Sequence, residues 1–201
     1  MNIIGILSCG IGNARSIYNL LYRLGYEVKL CTDGDSLNGV SHLIIPGVGG
    51  FDAAITTLEE KNLISPIKEF VHQGKPVLGI CIGMQILFES SEEGVKSGLG
   101  IFKDKIRKLS QDSSLRIPNT AWLEVTIKKE NRVFDKGDEN RYYHNHSYAY
   151  QAKVSEYASA VLLSEREVVV GVNLDNVFGV QFHPEKSHQN GHRILEKFCN
   201  L

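Results

Sequence analysis

Hydrophobic and polar positions follow two different rhythms along this chain. In the first half, short apolar runs alternate with stretches of helical spacing. Ile3 to Ser8 reads as a strand, and after Cys9-Gly10-Ile11-Gly12 a helix is expected. Asn13 is placed to cap it, Ile17, Leu20, Leu21 and Leu24 form its apolar face, and Gly25 stops it. Glu27–Thr32 and Ser41–Ile45 read as the next strands, with helices around Asp52–Leu58 and Ser65–His72. Pro76–Ile80 is a short buried strand, and Ile82, Leu87 and Phe88, with Gln85 and Glu89 between them, suit the start of a helix. Strands alternating with helices predict βαβ units and an α/β fold whose mostly parallel sheet is covered on both faces.

After about Glu93 the rhythm changes. Gly100–Leu109, Trp122–Lys129, Arg141–Tyr148, Val168–Asn173 and Val177–Phe182 read as strands. The polar segments Ser110–Leu115, Lys128–Arg132 and Asp135–Asn140 lie between them. This half is expected to be mostly antiparallel, extending or flanking the first sheet, before a closing helix over Ser187–Phe198. With no repeat, low-complexity tract or linker in the chain, residues 1–201 are expected to form one domain.

Composition narrows the function classes. A net charge of -1 gives no reason to expect a nucleic acid or an anionic membrane surface as partner. Cys9, Cys31, Cys81 and Cys199 form no C-x-x-C pair and read as free thiols in a reducing compartment. Ile6-Leu7-Ser8-Cys9 looks superficially like a lipoprotein cleavage site, but no Lys or Arg precedes it and the apolar stretch is too short. No stretch approaches the length of a transmembrane helix, so the expected location is the cytoplasm.

The chemistry concentrates where strands end. Gly79-Ile80-Cys81-Ile82-Gly83 has the form G-x-nucleophile-x-G, in which a strand turns sharply into a helix and leaves the central side chain at the apex. There the free N–H groups of a helix start favour negative charge on sulfur and on a developing oxyanion. The plainer reading is a buried cysteine acting as a small hydrophobe. Phe182-His183-Pro184-Glu185 closes another strand. A cysteine nucleophile needs a base, and an imidazole serves best when a third group holds it. His183 and Glu185 suit those roles; alone, the same stretch would read as a surface turn.

Pro46-Gly47-Val48-Gly49-Gly50 admits three readings: a plain turn, a phosphate loop opening a helix, or an oxyanion loop in which the N–H of Val48 or Gly49 acts with that of Ile82. It lacks the Lys-Ser/Thr of a nucleotide P-loop. Gly10-Ile11-Gly12 hints at dinucleotide binding, with Asp33 near the ribose offset, but Arg15 stands where the third glycine belongs. His144 with His146, and His188 with His192, have spacings that can bind zinc, yet Gln189 replaces the Glu of H-E-x-x-H. No cofactor and no metal is expected.

Together, Leu78-Gly79-Ile80-Cys81-Ile82-Gly83-Met84-Gln85 and Gly179-Val180-Gln181-Phe182-His183-Pro184-Glu185 resemble the class I, or triad, glutamine amidotransferases. Pro46-Gly47-Val48-Gly49, Met84, Glu89, His146-Ser147-Tyr148 and Lys186-Ser187 look like the subgroup that serves as glutaminase subunit of imidazole glycerol phosphate synthase. The resemblance covers essentially the whole chain and implies a flavodoxin-like sheet. It implies that Cys81 attacks the side-chain amide of glutamine, with His183 and Glu185 completing the triad and Val48, Gly49 and Ile82 holding the oxyanion. Gln85, Glu93, His146, Ser147 and Tyr148 would hold the glutamine head group. Asn13, Trp122 and Lys186 would face the partner, a cyclase of (β/α)8-barrel type that forms a heterodimer and receives ammonia through an internal channel. The resemblance also implies slow turnover until the partner and its ligand are present, and a peptide near Val48 that must reorient.

Two stretches depart from the subgroup. Pro118-Asn119-Thr120-Ala121-Trp122 stands in place of Pro-His-Met-Gly-Trp, and Ser8-Cys9-Gly10-Ile11-Gly12-Asn13 in place of Asp-Tyr-Gly-x-Gly-Asn. A paralogous glutaminase feeding a sugar amidotransferase in surface-polysaccharide or flagellar-glycan synthesis is the alternative. A stand-alone cysteine hydrolase and a non-catalytic binding module are further classes.

Overall fold

The computed structural model describes residues 2–110, 116–136, 140–151, 156–162 and 167–201. The expected polar segments 110–115 and 135–140 lie partly outside them. The first half reads β1 Ile3–Leu7, α1 Ala14–Arg23, β2 Glu27–Cys31, β3 His42–Gly47, α2 Phe51–Glu60, α3 Ile64–His72, β4 Val77–Cys81, α4 Ile82–Gln85 and β5 Phe88–Ser91. It continues through β6 Phe102–Lys108, β7 Asn119–Glu124, β8 Thr126–Ile127, β9 Arg141–His146 and β10 Tyr148–Gln151. β11 Ala158–Leu162, β12 Val168–Leu174, β13 Val177–Val180 and α5 His188–Cys199 complete it.

Among the described residues, eleven strands form one mixed sheet whose main path runs β2-β1-β3-β4-β13-β12-β10-β6-β5. The first five strands of that path are parallel neighbours, and β12, β10 and β6 continue it antiparallel. β11 and β8 branch from β12, and β7 pairs with β9 in a separate antiparallel ribbon. β3, β4 and β13 are buried at every position, as strands covered on both faces should be. The long-range parallel pairing of β13 with β4 sets Gly179 beside Gly79 and Val180 beside Ile80. That register brings the two chemically distinctive motifs to one edge of the sheet.

Four expectations change. The helix after Cys81 lasts only one turn, because the carbonyls of Ile86 and Leu87 accept from the returning Leu99 and Ile101 N–H groups instead of from a further turn. Phe88 and its neighbours then pair with β6 as a strand. Trp122–Lys129 is two strands, with the switch at Val125, whose N–H bonds the Asn140 carbonyl. Arg141–Tyr148 breaks at Ser147 into β9 and β10. Leu24 is 37% exposed, because it caps α1 just before Gly25, at φ +89°, turns the chain away.

Candidate active site

β4 ends at Cys81, which adopts φ 55°, ψ -113° and leads straight into α4. This backbone conformation is costly for any residue with a Cβ, and such strain concentrates at functional positions. The flanking glycines serve the turn through space rather than through their own torsions. A Cβ on Gly83 would overlap the Ile45 carbonyl, and one on Gly79 would lie 2.5 Å from the Gly83 oxygen. β3, β4 and α4 therefore press backbone against backbone beneath the sulfur.

His183 follows β13, and its Nδ1 lies 2.9 Å from Glu185 Oε1, with both side chains buried. Its ring and Cys81 line the same cavity, and Cys81 favours the protonated imidazole. Burial pulls the imidazole down, but hydrogen bonds and charge attraction from Cys81 and Glu185 outweigh it and raise His183 to about 9. Glu185 Oε2 is buried without a partner. The three side chains are thus brought together in series, thiol to imidazole to carboxylate.

They open onto a cavity of about 240 Å³ lined by Val48, Gly49, Cys81, Ile82, Gln85, Glu93, Pro118, Asn145, His146, Ser147, Tyr148 and His183. Every residue expected to hold the oxyanion or the head group lines it. Their engagements differ. Glu93 Oε2 accepts from Phe51 N at 2.9 Å and so caps α2. The amide of Gln85 donates to the Tyr148 carbonyl and to Gln181 Oε1, leaving Gln85 Oε1 buried and unpartnered. His146 has both ring nitrogens engaged: Nδ1 donates to the Tyr148 carbonyl at 3.0 Å, which leaves Nε2 to accept from Asn119 Nδ2 at 3.2 Å. Its ring, rather than its nitrogens, faces any occupant. The Val48 N–H is turned to the Ile11 carbonyl, 2.6 Å away, while the Val48 side chain is 51% exposed.

Burial lowers His146 to about 4, with its bond to Tyr148 opposing and the charge of His183 assisting; His144, buried with neither ring nitrogen partnered, is also lowered well below the usual imidazole range, by burial first and then by the charges of His146 and His183. Between roughly pH 6.5 and 4 the unfolded chain therefore binds protons that the folded chain refuses, and stability falls as pH drops. For His146 alone the full loss is about 3 kcal/mol. His183 acts with the opposite sign: its contribution is complete below about 6.5 and is lost as pH rises through about 9. Urea midpoints should be lower at pH 4.5 and at pH 9.5 than at pH 7; a flat acid limb would contradict the burial of the two histidines.

Of the residues expected at a partner surface, Trp122 stacks on His188 with ring centroids 5.0 Å apart, and Lys186 Nζ lies 5.5 Å from the Tyr143 ring, itself in edge contact with Trp122. Asn13 is exposed and, as expected, uses its side chain to cap α1 at Ser16 N. Among the described residues no group of three or more His, Cys, Asp or Glu is placed to hold a metal. No helix there is long and apolar enough to cross a membrane. A larger open depression of about 580 Å³, edged by Arg132, Arg193, Glu196 and Lys197, contains none of the candidate side chains.

Residues 6–201 match the family Glutamine amidotransferase class-I. The chain belongs to the class-I glutamine amidotransferases. Imidazole glycerol phosphate synthase subunit HisH of Leptospira interrogans is 39% identical to this amidotransferase, covering 99% of this chain and 100% of its own. The HisH subunit of Caldanaerobacter subterraneus subsp. tengcongensis is 41% identical over 99% and 98%. Among solved structures, PurLQS from Thermotoga maritima superposes with a TM-score of 0.77 at 20% identity, covering 99% of this chain and 98% of that one, which shows a shared fold. One buried polar residue of this amidotransferase received no role from sequence. Gln181 donates through Nε2 to Cys81 Sγ at 3.7 Å. The available signal was a lone amide inside the otherwise apolar run Val177–Phe182.

Proposed function

We propose that this chain is the glutaminase subunit of an imidazole glycerol phosphate synthase, acting as one domain with a cyclase partner of (β/α)8-barrel type. The observation that carries the reading is the series Cys81–His183–Glu185 at the mouth of a cavity sized for one amino acid. Full-length relatives named as HisH subunits support the pathway.

In this reading Cys81 passes its thiol proton to His183, its sulfur attacks the carboxamide carbon of glutamine, and the carbonyl π electrons move to oxygen. Ile82 N–H and a donor from the Val48–Gly49 loop receive that oxyanion. The C–N bond breaks as His183, held by Glu185, gives its proton to the departing ammonia. Water then attacks the thioester, His183 takes its proton, and glutamate leaves with the sulfur restored. The unpartnered Gln85 Oε1 is an acceptor suited to an N–H of the substrate. Because the Val48 N–H is bonded to Ile11, the oxyanion site is incomplete in this arrangement, and one such donor is worth about 10²–10³ in rate.

Glutamate release should therefore rise by about 10²–10³ when the barrel subunit and its ribotide ligand are added. Equal turnover with and without them would sink the reading and favour a stand-alone hydrolase. Asn119 in the Pro118–Trp122 stretch favours a second reading, ammonia supply to a sugar amidotransferase; failure to complement a histidine auxotroph would select it.

A further inference from the structure

The parallel register that pairs Ile80 with Val180 sets the next residues of the two strands, Cys81 and Gln181, side by side. Gln181 is fully buried, although it carries two donor hydrogens and an acceptor. A primary amide there must have a reason for its orientation, because its oxygen and nitrogen have nearly the same shape. Three contacts supply that reason. Gln85 approaches the Tyr148 carbonyl at 3.1 Å, so the atom facing that oxygen has to be the NH2 group. The same NH2 reaches Gln181 at 2.9 Å, so Gln181 must present its oxygen. The NH2 of Gln181 is then left pointing at the Cys81 sulfur, 3.7 Å away. The constraint passes from a main-chain carbonyl through two side-chain amides to the sulfur, with the Gln85 NH2 donating both to the carbonyl and to Gln181, and the Gln181 NH2 donating to Cys81.

We propose that Gln181 is a positioning residue for the reaction at Cys81, locked by Gln85 so that its NH2 always donates to the sulfur. The assignment rests on the reading of Cys81 as the nucleophile. A hydrogen bond to a charged acceptor is about twice as strong as one between neutral groups, so this donor tightens as negative charge gathers on the sulfur during the reaction. It also fixes the direction of the sulfur from the side of β13. Gln85 lines the cavity and keeps a free acceptor, so the residue that would touch glutamine is the one that sets the amide beneath the nucleophile.

The test is the rate of Cys81 alkylation by iodoacetamide without glutamine, read by mass spectrometry of the Cys81 peptide, beside kcat and KM for glutamine with partner present. Gln181→Met, which keeps the volume and removes the donor, should slow alkylation and kcat by about ten-fold with a smaller change in KM. Gln181→Glu should show a pH signature that a filler side chain cannot. Its ionised form repels the sulfur and its protonated form can donate, so its alkylation rate relative to wild type rises as pH falls from 8 to 6. Should Gln181→Met fail to fold, Gln85→Met decides. Its side chain makes no hydrogen bond to Cys81, yet releasing the Gln181 amide should slow alkylation by about two- to three-fold. Wild-type alkylation in Gln85→Met, or in Gln181→Met with a pH-independent ratio in Gln181→Glu, overturns the assignment. Glutaminase activity that persists in Cys81→Ser would instead overturn the functional reading itself.

Discussion

Cys81→Gly and Cys81→Ala should both lose glutamine hydrolysis by about 10⁴-fold or more, while the glycine variant is the more stable of the two. The order of stabilities is the informative part. In most strands and helices alanine exceeds glycine by roughly 0.5–1 kcal/mol, because glycine loses more backbone freedom on folding. At φ 55°, ψ -113° that order reverses, since only glycine adopts such torsions without a Cβ clash. A difference of about 1 kcal/mol in favour of glycine corresponds to about 2–4 °C for a chain of this size. Thermal melts of the two inactive proteins measure it directly. Equal or inverted melting temperatures would mean that the elbow is not strained, and turnover within about ten-fold of the wild-type rate in either would remove Cys81 from the chemistry.

The second large effect is Gly83→Ala. A Cβ at this position would overlap the Ile45 carbonyl oxygen and lie 2.8 Å from its carbon. Both are main-chain atoms of a strand buried at every position, so no side chain can swing aside. Relief requires β3 and α4 to separate, which loosens the Val48 loop and the Cys81 turn together. We expect a loss of about 4 kcal/mol, or about 8–16 °C, and failure to accumulate if the native margin is smaller than that. Gly100→Ala is the control. There φ is +65° but a Cβ meets only Lys103 Nζ and Glu89 Cγ, at 3.6 and 3.8 Å, so the cost should stay at about 1 kcal/mol. Chemical denaturation of both variants separates close approach from backbone torsion as the reason each glycine is needed.

These contrasts indicate what could be read in the sequence. The β–α rhythm of residues 3–81 was legible because each element buries one face at its own period, and the glycine spacing around Cys81 marks a turn that few other geometries need. The His183–Glu185 pairing was legible because both residues lie in one short turn. The strand Ala158–Leu162 was not. Its small residues carry no strong alternation, and it becomes a strand by pairing with β12. Ile86-Leu87-Phe88 reads equally as helix or strand, and residues 98–102 decide the matter by taking the carbonyls that a helix would use. The roles of the cavity residues were visible only as a group. Sequence does not distinguish His146, whose nitrogens are occupied, from Gln85, whose oxygen is free. The Gln181 amide acquires its direction from Tyr148, far away in the chain.

The Val48 N–H to Ile11 carbonyl bond can be expressed as a population. A neutral hydrogen bond contributes a net 0.5–1.5 kcal/mol, so taken alone it leaves roughly one molecule in three to one in thirteen with the Val48 amide released. The expected rise of about 10²–10³ on partner binding exceeds what that bond alone supplies. A docking protein that touches the exposed Val48 and gains about 6 kcal/mol more in the released arrangement would convert nearly every molecule to it. The enzyme would then be switched by occupancy of one small loop, with the sheet beneath it unmoved.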